Sequence, residues 1–358
     1  MNILMKIAYL TNNINPKNGW GRYASDLIYG IKNSGHEVLI LKEENDGFEG
    51  VPVLKRGLGV FSSALRIRKF IKNCDVIHAL DGYPYGIIAA LANTSLKKRL
   101  VISGIGSYSV SPLYNWRMSR LLKWAYKKAD HIITISNFTK LEILKKVTVQ
   151  NIVVINPGVS FERVHRSQTE TDEDFILSVG AVKKRKGYHI SIPAFALAKK
   201  QIPELKYKIV GDKRDTAYLN YLKEIIKKSD IEDSIEFLGD VPEEELKSLY
   251  GKAKLFILTS VNVNHHFEGF GLVFLEAAAA GLPVIGTLGN GIEDAVEDGY
   301  NGFLVPQNNV EKTADSILEI MASHEKWLKM SQASLDWANS HDLSKMIHQY
   351  LEIYRKVL

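Results

Sequence analysis

Along the chain, short apolar runs alternate with longer stretches in which apolar residues recur every three or four positions. That alternation predicts strands and helices in turn. Lys6–Thr11 (KIAYLT) and Glu37–Lys42 read as strands around a helix from about Arg22 to Ser34, which Gly35-His36 ends. The loop NNINPKNGWG joins the first strand to that helix, making a βαβ unit with a parallel strand pair. The pattern continues with strands at Asp75–Ala79, Arg99–Ser103, His131–Ile135 and Asn151–Ile155. Between them lie helices at Val60–Asn73, Tyr83–Ala92 and Tyr114–Lys128, and one that Ser136-Asn137 caps and that runs to Lys146. Ser160–Asp174 is polar, aperiodic and acidic at its end, which is a linker composition.

A second series opens at Phe175–Val179 and adds strands at Tyr207–Gly211, Ile235–Leu238, Leu255–Thr259, Pro283–Gly286 and Gly302–Val305. Its helices fall at 219–229, 243–252 and 272–280, with another starting after Asn290-Gly291-Ile292 and others at 310–321, 326–338 and 343–358. Two α/β domains are expected, over residues 1–165 and 166–342.

Composition agrees with this division. A chain of 358 residues is long enough for two cores, and 46% hydrophobic with 24% charged residues is ordinary for a globular protein. One cysteine, Cys74, excludes an intrachain disulfide and predicts a reducing compartment. The N-terminal apolar run is interrupted by Lys6, and no run approaches the roughly 20 apolar residues of a membrane span. A cytoplasmic protein is expected. The net charge of +6 is unevenly spread: residues 1–160 carry 22 Lys+Arg against 10 Asp+Glu, and the remainder 24 against 30. A basic half leaves nucleic acid, anionic lipid, a phosphorylated acceptor or a solvated lysine-rich surface open.

The candidate chemistry gathers in two stretches. In HHFEGFGLVFLEAAAAGLPVIGTLGNGIEDAVEDGYNGFLVP, Glu268 and Glu276 stand eight residues apart around Gly269, Phe270, Gly271 and Leu272. Good helix formers from Leu272 predict a helix there, whose N-terminus suits an anion. Two carboxylates two helical turns apart are then expected near one face, holding hydroxyls of an extended ligand. Phosphate beside polyol is the chemistry of a sugar nucleotide. The loop GAVKKRKG, after the first strand of the second series, offers Lys183, Lys184, Arg185 and Lys186 to a diphosphate or, alternatively, to solvent.

Other residues keep two readings. Gly19 and Gly21 lack the full G-x-G-x-x-G dinucleotide fingerprint, and either let a ligand approach or serve a turn. His78, at the carboxyl end of its strand, is placed for a ligand or for the core. In Tyr114–Lys128, Trp116 and Trp124 stand among Arg117, Arg120, Lys123 and Lys127. That composition suits a membrane-interface helix, an aromatic stack on a sugar, or core packing by one Trp.

Taken together these pieces resemble the retaining, nucleotide-sugar-dependent glycosyltransferases of the GT-B fold, in particular glycosyltransferase family 4. The resemblance rests on Glu268-GFGLVFL-Glu276 followed by AAAAGLPVIGT and GNGIEDAVEDGYNGFLV. It extends to NGWGRYASDLIYGIKNSGHEV, ADHIITISNFTK, VINPGVSFERV and the C-terminal YLEIYRKVL. It implies two Rossmann-like domains facing across a cleft, with the donor mostly on the second and a final helix, about 343–358, crossing back onto the first. It assigns Lys186 to the donor diphosphate, Glu268 to the donor sugar, Glu276 to the ribose and the backbone of Gly269–Leu272 to sugar or phosphates. Gly19 and Gly21 match a loop that closes over the phosphates.

Glu268, Lys186 and Arg185 are the catalytic candidates; His78, Tyr108, Trp116 and Arg117 are candidates for the acceptor. The implied partners are a nucleotide-sugar donor, a saccharide or lipid-linked acceptor and an anionic membrane surface, with no nucleic acid, no metal and no cofactor. The expected placement is cytoplasmic, peripheral on the inner face of the membrane. Two departures from the family pattern stand out: Ala181 where many members carry Arg, for which Arg185 is the expected substitute, and no His in the loop SGIGSYS. The competing readings are a nucleotide-sugar epimerase or sugar phosphorylase on the same fold, or a non-catalytic binder of anionic surfaces.

Overall fold

The computed structural model describes residues 4–161 and 174–358. The chain divides into two compact units, Met1–Gly158 with Leu343–Leu358, and Val159–Asp342. The expected boundary at residue 165, like most of the linker 160–174, lies outside the described residues.

The first unit runs β1 (Lys6–Thr11), α1 (Gly19–Asn33), β2 (Glu37–Lys42), β3 (Val51–Pro52), α2 (Gly59–Ile71), β4 (Val76–Leu80), α3 (Ile87–Asn93) and β5 (Arg99–Gly104). It continues with α4 (Ser107–Val110), α5 (Trp116–Lys128), β6 (His131–Thr134), α6 (Asn137–Leu144) and β7 (Ile152–Val154). Its seven strands form one parallel sheet in the order β3-β2-β1-β4-β5-β6-β7. The second unit runs β8 (Phe175–Val179), α7 (Tyr188–Lys199), β9 (Lys206–Val210), α8 (Thr216–Lys228), β10 (Ile235–Gly239), α9 (Glu243–Lys252) and β11 (Leu255–Ile257). Then come α10 (Leu272–Ala279), β12 (Val284–Thr287), β13 (Gly302–Val305), α11 (Val310–Met321) and α12 (His324–Ser340). Its sheet is again parallel, in the order β10-β9-β8-β11-β12-β13. Both units are thus Rossmann-like, as expected. Each has a point, between β1 and β4 or between β8 and β11, where the strand order reverses and ligands bind at the carboxyl ends.

Central strands are buried throughout because both faces are covered by helices: every residue of β4 and of β11 is buried, His78 included. The last helix, α13 (Leu343–Val357), packs within the first unit through a buried aromatic face. There the Tyr354 hydroxyl lies 3.0 Å from that of Tyr9, and Tyr350 and Tyr23 share a hydrogen bond between hydroxyls.

Some boundaries differ from the sequence reading for local reasons. Helix α1 begins at Gly19 because the Asn18 side chain accepts from the Gly21 N–H and caps it three residues early. Of the expected strand Leu255–Thr259, only Leu255–Ile257 pairs in the sheet; Thr259 and Ser260 turn out of it to make other bonds. The helix expected after Asn290-Gly291 is a single short turn, Gly291–Asp294.

Candidate functional site

In the second unit the loop after β8 is folded onto the loop after β11. Gly187 lies in the left-handed region at φ 75°, and a Cβ there would sit 1.7 Å from the Thr259 carbonyl oxygen. Only glycine serves at this position. Thr259 Oγ1 donates to the Gly187 carbonyl at 2.8 Å, and the Val261 N–H donates to the Arg185 carbonyl at 2.8 Å. These bonds hold the single turn Lys184–Lys186 against the carboxyl end of β11.

The result is a compact charge cluster. Glu268 Oε2 accepts from Lys186 Nζ at 2.7 Å, from Arg185 Nη1 at 2.8 Å and from Ser260 Oγ at 3.3 Å. The side chains are 13%, 21% and 13% exposed for Lys186, Arg185 and Glu268, so water screens the charges only partly. Burial alone would raise the Glu268 carboxyl, but the adjoining Lys186 and Arg185 outweigh it and hold the group well below the usual carboxylate range. Burial, with Arg185 beside it, lowers the Lys186 ammonium against the opposing pull of Glu268. Lys183 and Lys184 are exposed, so two of the four loop cations reach the carboxylate.

The backbone of Glu268 is fixed as well. The Gly291 N–H donates to its carbonyl at 2.9 Å, and a Cβ on Gly291 would stand 1.9 Å from the Gly269 carbonyl oxygen. Helix α10 begins at Leu272, so its first-turn N–H groups lie just beyond Gly269–Gly271, and of these Phe274 donates to the Gly271 carbonyl at 2.9 Å. Phe270 is in the core, 1% exposed, so its side chain is closed to a ligand. Glu276 stands on α10 and accepts from the Tyr250 hydroxyl at 3.0 Å. The expectation that both glutamates share one helical face is corrected here: Glu268 lies in the loop four residues before the helix, and only Glu276 is helical. The left-handed Gly271 at the cap is the physical reason, since the helix cannot extend back through it.

The first unit places its candidates differently. Gly19 and Gly21 form the first turn of α1 rather than a loop. A Cβ on Gly21 would meet the Asn15 carbonyl oxygen at 2.2 Å, whereas one on Gly19 meets nothing within 4 Å. The expected acceptor contact of His78 is also corrected. The ring is 0% exposed, with Nδ1 2.7 Å from the Tyr354 hydroxyl and Nε2 2.8 Å from Ser103 Oγ. Burial pushes it down to about 3, so it is a neutral core residue tying α13 to the sheet. Tyr108 is 45% exposed, with the Arg56 guanidinium 5.1 Å from its ring centroid and Trp20 edge-on at 6.3 Å. Trp116 is 77% exposed, with the Arg117 guanidinium 4.9 Å from its ring.

Sequence reasoning passed over Thr259, Ser260, Tyr250 and Asp81. The first two follow an apolar strand beside the switch point, and that position was a usable signal. Asp81, just past β4, has φ 138° and is 1% exposed. Its Oδ1 accepts from the Gly82 N–H at 2.7 Å and from Ser109 Oγ, while Oδ2 has no hydrogen-bond partner. Burial pushes this carboxyl up to about 8. Among the described residues no group of three or more His, Cys, Asp or Glu side chains is placed to hold a metal ion. The chain has an Asp-x-Asp spacing at Asp172 and Asp174, of which Asp172 is outside the described residues.

Two family models match adjoining parts of the chain: Glycosyltransferase Family 4 over residues 17–163 and Glycosyl transferases group 1 over residues 160–337. An uncharacterized glycosyltransferase, MJ1178, of Methanocaldococcus jannaschii is 28% identical over 346 residues, covering 94% of this chain and 93% of its own. The N-acetyl-alpha-D-glucosaminyl L-malate synthase of Bacillus anthracis is 24% identical over 300 residues, covering 80% and 76%. Among solved structures, Anabaena Alr3699/HepE in complex with UDP superposes with a TM-score of 0.86 at 20% identity, over 98% of this chain and 100% of that one. WaaG, a glycosyltransferase involved in lipopolysaccharide biosynthesis, gives 0.73 at 16% identity over 97% and 99%.

Proposed function

This chain is a glycosyltransferase of the GT-B fold, and we propose that it moves a hexosyl group from a nucleoside-diphosphate sugar to an acceptor hydroxyl with retention of anomeric configuration. The observation that carries the reading is the pair Lys186 and Arg185 closed on Glu268 beside the β8/β11 switch point. Breaking the anomeric bond leaves charge growing on the departing diphosphate. Two fixed cations and the first turn of α10 supply the stabilisation that this charge needs. Glu268, with Oε2 committed to both cations, is a poor nucleophile and acts by orienting sugar hydroxyls and the cations together. Glu276, steadied by the buried Tyr250 hydroxyl that donates to its Oε2, provides a carboxylate for the ribose. Retention follows if the acceptor hydroxyl attacks from the face the diphosphate leaves. A lipid-linked or cell-surface glycan is the proposed acceptor, favoured by the basic first half.

The test begins with binding of UDP-, GDP- and ADP-glucose by calorimetry, UDP-glucose first because a HepE structure holds it. Transfer from the best donor is then followed with and without EDTA. Lys186→Ala is expected to slow transfer at least about tenfold, the loss of one charged contact to a developing anion. EDTA is expected to leave the wild-type rate unchanged, because lysine and arginine do the work of a divalent ion. Normal transfer by the variant would remove the phosphate role, and turnover without acceptor would favour an epimerase.

A further inference from the structure

The first unit leaves an apolar stripe in the open on a strongly basic helix. Leu58, immediately before α2, is 91% exposed, and Phe61 and Leu65 on the helix are 53% and 64% exposed. Spacings of three and four residues put the three side chains in one row. The opposite face of α2, Val60, Ser63, Ala64, Ile67 and Ile71, is buried, so the row is not needed for the core. Lys55, Arg66, Lys69 and Lys72 are exposed around it, and no acidic residue occurs between Glu49 and Asp75. Two neighbouring arginines are otherwise engaged: Arg56 Nε donates to Glu43, and Arg68 donates to the Leu91 carbonyl and to Thr94.

We propose that α2 docks this protein onto an anionic phospholipid bilayer, with Leu58, Phe61 and Leu65 entering the interface and Lys55, Arg66, Lys69 and Lys72 at headgroup level. A row one helix wide, fringed by cations without intervening acids, matches a surface that is apolar beneath and negative above. The tryptophan-bearing α5, the element the sequence favoured for this role, is a weaker anchor. Its Leu122, Ala125 and Tyr126 are buried in the unit, and Trp116, partly covered by Arg117, is its one strongly exposed large apolar residue. Both helices pack against α3, so α5 lends its charge to the surface α2 occupies.

The inference rests on the reading of a membrane-proximal acceptor, but its test does not use sugar transfer. Co-sedimentation with vesicles of phosphatidylglycerol and phosphatidylcholine is measured without donor or acceptor, at about 0.1 M and 0.5 M salt. Binding at low salt, weakened at least about tenfold by high salt and by the triple change Leu58→Ser, Phe61→Ser, Leu65→Ser, is expected. Trp116→Ala is expected to weaken it less than about threefold. The triple variant changes only exposed side chains and should keep wild-type thermal unfolding and donor binding. No binding by the wild type, unchanged binding by a folded triple variant, or loss through Trp116→Ala alone each overturns the proposal. Failure here leaves donor chemistry intact, whereas a failed Lys186→Ala test leaves vesicle binding intact.

Discussion

The two units share one strand topology and put a buried carboxylate near the same point of it, yet the two carboxylates are driven in opposite directions. Glu268 follows β11 with Lys186 and Arg185 against it and is held ionised. Asp81 follows β4 among hydroxyl and amide donors, with the nearby Arg56 engaged by Glu43, and burial pushes it up to about 8. Topology supplies the location, and the loop after the first strand of each unit supplies the charge. GAVKKRKG places two cations at contact distance, while the Asn-rich loop of the first unit places none beside Asp81. A shared fold therefore specifies where chemistry can sit but not which kind.

Removing the cations is the largest test of this contrast. Arg185→Met with Lys186→Met should strand an ionised Glu268 in a mostly buried site, costing about 3 kcal/mol at neutral pH. The sign of the pH dependence should also reverse. In the wild type, Glu268 lies below its ordinary value of 4.5. Its contribution is therefore present above that value and lost as pH falls through the folded one. In the variant, burial acts alone, so stability relative to wild type should improve as pH is lowered from 7 toward 5. Denaturant unfolding across that range decides it, and a variant as stable as wild type with the same slope would break the comparison.

Asp81 gives a smaller effect of opposite sign. With a folded value of about 8 against an ordinary 3.8, it favours the fold below 3.8 and loses that contribution progressively up to about 8. Asp81→Asn keeps an acceptor for Gly82 and Ser109 without the titration. The variant should gain on wild type by about 1 kcal/mol between pH 6 and 9, a part of the full linkage because local relaxation and water reduce it. Parallel stability curves over that range would show that Asp81 does not titrate there.

Much of this architecture is legible in the chain, because parallel sheets covered on both faces leave unbroken apolar runs. Phe175–Val179 is identical in reading and structure, as are Lys6–Thr11 and Glu37–Lys42. The cation loop was legible for the same reason, standing between an unmistakable strand and a helix. What escaped depends on partners distant in sequence. His78 looks the same in a chain whether Tyr354, 276 residues away, closes over it or not. The exposure of Leu58, Phe61 and Leu65 was hidden because a basic amphipathic pattern fixes one buried face and says nothing of apolar residues left on the other.

Glu276 should show the mildest response. It is half-buried on α10, and its Oε2 accepts from a neutral group, the Tyr250 hydroxyl, at 3.0 Å. Glu276→Gln keeps an acceptor for Tyr250, so the helix and its neighbours should stay in place, and only the charge offered to a ribose diol is lost. An interaction made equally with bound donor and with the transition state raises KM and leaves kcat alone. The expected change is therefore a rise of about two- to fivefold in donor KM, the size of one weakened hydrogen bond. A fall in kcat of tenfold or more would place Glu276 with Glu268 at the reacting end of the donor. The contrast between the units would then rest on two working carboxylates in the second unit rather than one.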